Sequence, residues 1–429
     1  MITRIMLAVM AMSLTVMAVP GSAFAQEAED SIFASRADDV AAVLQGAKTA
    51  ENVFDDAFLT QVPPAQLAQL TASLTAQFGA LIGVEQVEPA GPYGGKVVFR
   101  FERALGVSSM TIQSSAPHRV TGLLIQTFDP IEDSLAKIST DLDALPGDVS
   151  VFFAPLDQTA RPFVARDAQT LYAIGSTFKL YILSALARSI EAGERQWSDV
   201  AVLDRRSLPS GQMQNWPVNA PVTLHTLATM MISISDNTAT DILLHELGRD
   251  AVERELIASG HSDPDRTLPF LSTLELFALK GSPANAAEYL AADQSSKRRI
   301  LADFEDAVKG DPGAITPPRF TEPTAIDTLE WFASGRDLRR LLRRIVALDD
   351  PTARDILTVT KSLPQMRIDE WDYVGYKGGS EPGVFNLTWL LRDKGGEWHV
   401  LTLSWNNKQE DVDKTALSLL ASRMIALAS

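Results

Sequence analysis

Apolar residues recur at steps of three and four through "DDVAAVLQGA" and "PPAQLAQLTASLTAQFGALIG". That period predicts helices between residues 31 and 80, with Pro63 and Pro64 marking the start of the second. After Gly83 the pattern changes. "GGKVVFRFERA", "LGVSSMTIQSS" and "HRVTGLLIQTFDP" alternate or run in β-rich residues, with turn-forming Gly-Pro-Tyr-Gly-Gly and Ser-Ala-Pro between them. They predict antiparallel strands, and helices followed by strands predict a small α+β domain over 26–130. A polar connector, 131–147, leads to the strand "VSVFFAPL". A long helical middle follows, from about 176 to 345. The late strands are "DYVGYKGG", "FNLTWLLRD" and "EWHVLTLSW", and "VDKTALSLLASRMIALA" is a last helix. Strands at both ends of a helical middle imply one sheet built from distant segments with helices packed on it, a single α/β-type domain over 148–429. Within it, 281–322 is polar and irregular apart from "KRRILADFEDAVKG". It reads as an insertion, either a lid or an inert elaboration.

The first 26 residues, MITRIMLAVMAMSLTVMAVPGSAFAQ, change the picture. One basic residue (Arg4), an apolar run and Ala23-Phe24-Ala25 predict a secretory signal peptide over 1–25, cleaved after Ala25. Helix-breaking Pro20 and Gly21 favour cleavage over an uncleaved anchor. No later stretch reaches the ~18 apolar residues of a membrane span. The mature protein is therefore expected to be periplasmic or secreted, without a membrane anchor. The chain has no cysteine, which leaves neither a disulfide nor a lipoprotein attachment site. Its 54 acidic and 38 basic residues give a formal charge of −16, with no basic cluster for nucleic acid and a balance unfavourable for anionic membranes.

The chemistry centres on "AIGSTFKLYIL", where Ser176 follows Gly175 and Lys179 lies one turn on, just as the chain turns apolar. Both side chains share one helix face. Unsatisfied N–H groups at a helix start attract negative charge, and a buried lysine beside a second cation can act as a base. Ser-x-x-Lys is a weak motif alone: Ser134-Leu-Ala-Lys137 is a second copy, on the polar connector. "TLATMMISISDNTATDILL" adds Ser235-Asp236-Asn237 between two apolar helical runs, where a helix cap is the plain alternative. "YVGYKGGSEPGVF" adds Lys377-Gly378-Gly379-Ser380 at a strand end, where a turn is the alternative. Lys394-Gly395-Gly396 supplies a control for that turn.

Taken in order, these motifs resemble the serine β-lactamase and penicillin-recognising enzyme superfamily, with signatures Ser-x-x-Lys, Ser-x-Asn and Lys-[Thr/Ser]-Gly, and class A most closely. The resemblance covers about 150–429. It implies an antiparallel sheet flanked by helices plus a helical subdomain, a small-molecule acyl substrate, and no metal or other cofactor. Ser176 would be the acylated nucleophile, Lys179 its activator and Ser235 a proton relay. Asn237 would orient the substrate amide, and Lys377 would hold the substrate carboxylate. The backbone N–H groups of Ser176 and Ser380 would form the oxyanion hole. Helices followed by curved strands resemble an NTF2-like fold. That fold ahead of a class A-like domain is similar to the serine hydrolase of clavulanate biosynthesis and its bacterial relatives.

Three departures qualify the match. Gly378 stands where Thr or Ser is usual, with Ser380 the candidate substitute from two residues on. The stretch comparable to the class A Ω-loop, "PFLSTLELFALK", offers only Glu275 as a deacylation base, with Leu279 where an asparagine is expected. A structural helix glutamate is the alternative. Ser235 to Lys377 is also longer than usual, by about the 281–322 insertion. The sequence thus leaves open β-lactam hydrolysis, esterase activity on small acyl substrates, a slowly deacylating β-lactam or cell-wall sensor, and a non-catalytic interaction scaffold. Among the histidines none has a triad context, and no metal-ligand spacing occurs.

Overall fold

The computed structural model describes residues 21–131, 133–310, 315 and 319–428. Residues 1–20 of the expected signal peptide lie outside them. Among the described residues no helix is long and apolar enough to cross a membrane. The chain divides into two compact units, Met1–Gln126 and Thr127–Ser429.

In the first unit, helix Gly21–Leu44 buries Phe33, Ala37, Val40, Ala41 and Leu44, a stripe at helical steps. The stripe packs on strands β1 (Leu81–Pro89), β2 (Gly94–Phe101) and β3 (Ala104–Ile112), and β4 (Val120–Pro130) continues the sheet in the order β1-β2-β3-β4. β1 pairs antiparallel with β2, yet the hydrophobic pattern does not announce it. Register shifts between Leu81 and Gly83 and between Val84 and Gln86 break the alternation on which strand prediction rests.

The second unit is built on a five-stranded sheet. Its strands are β5 (Asp148–Pro155), β6 (Val164–Arg166), β11 (Tyr373–Glu381), β12 (Val384–Arg392) and β13 (Trp398–Asn406), all antiparallel in the order β11-β12-β13-β5-β6. Short pairs complete it: β7 (Tyr172–Ala173) with β10 (Phe332–Ala333), and β8 (Val200–Val202) with β9 (Pro221–Thr223). On one face, Val151, Phe153, Trp389, Leu401 and Leu403 pack with helix Lys414–Ala426. On the other lies the larger core, from the helices Lys179–Glu191, Leu224–Ser233, Asn237–Leu247, Arg249–Ala258 and Gly335–Val346.

Two segments hold more regular structure than their composition announces. The polar connector is not a bare linker: it carries helix Leu135–Asp143, whose Ile138 and Leu142, four apart, join the sheet-side core. Asp133 and Asp141 also bind the Arg423 guanidinium at 2.6–2.8 Å. Ser134 caps that helix, accepting from the Lys137 backbone N–H at 3.2 Å, so the second Ser-x-x-Lys is a helix start. The 281–322 segment is more regular than its polarity suggests. Helices Pro283–Ala291 and Gln294–Gly310 lay Tyr289 and Leu301 into the helical core.

Candidate active site

Gly175–Phe178 form one 3₁₀ turn that runs into helix Lys179–Glu191. The backbone N–H of Lys179 donates to the Ser176 carbonyl, closing an i to i+3 turn that brings positions 176 and 179 nearly into eclipse. Gly175 takes φ +47°, and a Cβ there would lie 3.1 Å from the Ser380 backbone nitrogen. A Cβ on Gly379 would collide with the Ser176 nitrogen. Glycine at both positions lets the turn and the end of β11 approach closely, with the Ser176 and Ser380 backbone nitrogens both at the contact. Among the described residues the Ser176 hydroxyl, half-buried, has no hydrogen-bond partner.

The Ser-Asp-Asn triplet joins helices Leu224–Ser233 and Asn237–Leu247. Here the cap and the chemistry coincide. Asp236 caps the second helix at Ala239 N (2.9 Å), and its other oxygen accepts from the Gln212 and Met213 amides at 2.6 and 2.8 Å. Held so, Ser235 adopts φ +58°, a left-handed conformation costing roughly 1–2 kcal/mol for a residue with a Cβ. That strained turn aims Ser235 at both lysines.

Lys179 is fully buried. Its Nζ donates to Ser235 O (2.7 Å), Ser235 Oγ (3.0 Å) and Asn237 Oδ1 (2.8 Å). Lys377, on β11, reaches the same Ser235 Oγ at 3.1 Å and its neighbour's carbonyl, Gly378 O, at 2.5 Å. Burial, and then the charge of Lys377, holds the Lys179 amine well below the usual lysine range, against the opposing pull of Asp241 and Asp236. Burial pushes Lys377 down to about 7. One hydroxyl thus bridges two amines that are both easily deprotonated, an arrangement suited to moving protons.

A cleft of about 350 Å³ opens over these groups, lined by Ser176, Ser235, Asn237, Lys377 and Ser380 among others. None of the described residues of 281–322 lines it. Glu275 is not there either. It closes a capping box with Ser272 and accepts from Arg249 at 2.6 and 3.0 Å and from the Ser272 amide at 2.6 Å. The structure places this candidate base in a helix cap and a buried ion pair, apart from Ser176. The Ser272-x-x-Glu275 spacing is itself the capping-box signature, a local signal for that role.

Sequence reasoning misses two groups. Beneath the Gly175–Phe178 turn, the Thr177 hydroxyl donates to Asn386 Oδ1 (2.7 Å), and Asn386 in turn donates to Ser404 Oγ (2.8 Å). This buried ladder ties the turn to β12 and β13. Along the cleft wall, Lys280 pairs with Glu330 (2.6 Å) and with Glu381. Both carboxylate residues line the cleft, beside the stacked rings of Phe178 and Trp331 (centroids 3.6 Å apart). Groups able to hold a metal ion, Asp393, Glu397 and His399, meet at the β12–β13 turn, and none of them lines the cleft.

A model of the β-lactamase enzyme family matches residues 130–362, more than half of the chain. Among solved structures, the chain is similar to a β-lactamase from Sphaerobacter thermophilus, at 20% identity over 69% of this chain and 97% of that one, with a TM-score of 0.47. It is also similar to a β-lactamase from Francisella tularensis (12% identity, 68% and 97% covered, TM-score 0.49) and to PBP-A (18%, 68% and 94%, TM-score 0.46). Among curated proteins no sequence match is found. The chain belongs to the β-lactamase enzyme family and is a serine β-lactamase-like hydrolase.

Proposed function

We propose that this protein is an exported hydrolase acting through an acyl-Ser176 intermediate, with β-lactams as its first substrate class. The observation that carries the reading is the buried, depressed-pKa Lys179, one turn after Ser176 and bonded to Ser235 and Asn237. The neutral amine takes the Ser176 proton as the hydroxyl attacks the acyl carbon. The oxyanion forms against the Ser176 and Ser380 amides. Ser235, shared by both amines, hands a proton to the leaving nitrogen or oxygen. Asn237 orients the substrate amide, and the Lys377 ammonium holds its carboxylate.

Deacylation is the weaker half. Glu275 is committed to Arg249 and Ser272, which favours a second reading: slow release of the acyl group, as in an esterase of poor substrates or a sensor that stays acylated. The leader-like residues 1–25 favour export. The helix on a four-stranded sheet in Met1–Gln126 favours an NTF2-like unit ahead of the catalytic one.

The test is to mix the protein with a chromogenic cephalosporin and follow intact mass from seconds to hours. Colour with a transient adduct on Ser176 establishes β-lactam turnover, and a lasting adduct on Ser176 establishes slow release. Absence of any Ser176 adduct, with this probe and with activated esters, overturns the reading.

The pH profile follows from Lys377. Its ammonium exists below about pH 7 and its neutral amine above. We expect kcat/KM for a carboxylate-bearing substrate to fall by about tenfold per pH unit above that point, while an uncharged ester shows no such limb. Parallel profiles for acid and ester would remove Lys377 from carboxylate binding.

A further inference from the structure

The polar groups of the cleft are unevenly placed. Lys377 and Ser235, both in the lining, are bonded to each other, whereas Glu330 and Glu381, also in the lining, are paired with Lys280. Lys377 and Glu381 are four residues apart on β11, about 13 Å at the rise of a strand. The Lys280 cation offsets the charge of the two acids, so the Lys377 ammonium is the group of the lining that draws an anionic ligand. Lining the same cleft is a side chain with no role assigned so far, Tyr376.

Tyr376 precedes Gly378 by two residues on β11, so both belong to one face of the strand. A Cβ built on Gly378 would collide with the Tyr376 hydroxyl, with the ring Cζ at 2.8 Å and the Asn386 carbonyl oxygen at 3.1 Å. The phenol therefore occupies the space in which a side chain at 378 would begin. Trp389, its cross-strand partner on β12, backs the ring with centroids 5.0 Å apart. Burial pushes the phenol up to about 12, so it stays neutral and keeps its proton to donate.

We propose that the Tyr376 hydroxyl, lying over Gly378, binds the carboxylate of an anionic acyl substrate together with the Lys377 ammonium. Tyr376 is thus a specificity-determining residue that separates carboxylate-bearing substrates from neutral ones. This rests on the acyl-Ser176 reading, with which it shares the cleft.

The experiment compares acylation of Ser176 by benzylpenicillin and by its methyl ester, followed by intact mass. In Tyr376→Phe the ring and its packing on Trp389 remain. The acid-to-ester rate ratio is expected to fall about tenfold or more, the loss of one hydrogen bond to a charged group. Gly378→Ala, which displaces the hydroxyl without removing it, is expected to lower the same ratio. An unchanged ratio in both variants overturns the assignment and leaves acyl-Ser176 standing. A ratio lost only in Ser380→Ala also overturns it, moving the role to Ser380. No Ser176 adduct from either probe in the unsubstituted protein overturns both readings together.

Discussion

Lys179→Met slows acylation of Ser176 by about 10²- to 10⁴-fold, the range expected when a positioned general base is removed. The amine sits in a fully buried pocket, and burial together with the nearby Lys377 keeps it neutral enough to accept a proton. Methionine fills nearly the same volume without a basic atom, so packing is largely kept. Lys179→Arg separates the alternatives. If the position served only as a cation that organises Ser235 and Asn237, arginine would restore much of the rate. If it serves as a base, arginine is as slow as methionine, because a guanidinium does not give up its proton in a protein. Single-turnover acylation read by intact mass decides the matter. A Lys179→Arg protein acylating at more than half the original rate would falsify the base assignment.

The second large effect is on stability. Lys280→Met is expected to destabilise the fold by about 3–5 kcal/mol, because it strands Glu330 and Glu381 without their cation. Lys280, Glu330 and Glu381 have side chains only 1%, 1% and 10% exposed. Burial, and then the neighbouring Glu330, raises Glu381 well above the usual carboxylate range, so this carboxyl favours keeping its proton. Burial works against the Lys280 charge, yet the two carboxylates more than offset it and its pKa is raised. With the lysine gone, Glu381 loses the cation that opposes this rise and holds its proton to still higher pH in the folded chain than in the unfolded one. The folded state then binds more protons, and its stability rises as pH falls. Thermal unfolding of Lys280→Met should show its largest deficit, roughly 10 °C, near pH 8 and a smaller one near pH 5. Combining it with Glu330→Gln and Glu381→Gln should recover much of the loss. A deficit that does not change between the two pH values would show that the cation is not what balances the pair.

Parts of the site were open to reading because their geometry is local. Ser176 and Lys179 are three residues apart on one turn, Ser235 to Asn237 are consecutive, and Lys377 to Ser380 form one strand end. For such short spacings the backbone period alone dictates which side chains share a face. Glu275 fell outside this rule, since the same letters that suggest an acid near an Ω-loop also spell a capping box, and its hydrogen bonds to Ser272 and Arg249 are what the fold uses. The connector helix escaped notice because two buried residues, Ile138 and Leu142, suffice to fold a segment otherwise polar. Tyr376 over Gly378 carried a faint local signal, an aromatic residue two before a glycine on one strand face.

By itself the sequence determined the Ser176-to-Lys179 turn, the triplet that caps a helix while presenting Ser235, the lysine at the end of β11, and the placing of a helical middle between early and late strands. The tertiary structure alone decided that Ser235 lies within 3.0 and 3.1 Å of two amines 198 residues apart in the chain, 179 and 377. It also decided that Lys280 meets partners 50 and 101 residues away, and that Thr177 rests on Asn386, 209 residues on. Contacts at such separations are chosen by which buried polar groups can satisfy one another once the sheet and the helical layer close. A hydrogen-bond requirement of that kind leaves no period in the sequence, because its only rule is that a buried donor must find an acceptor.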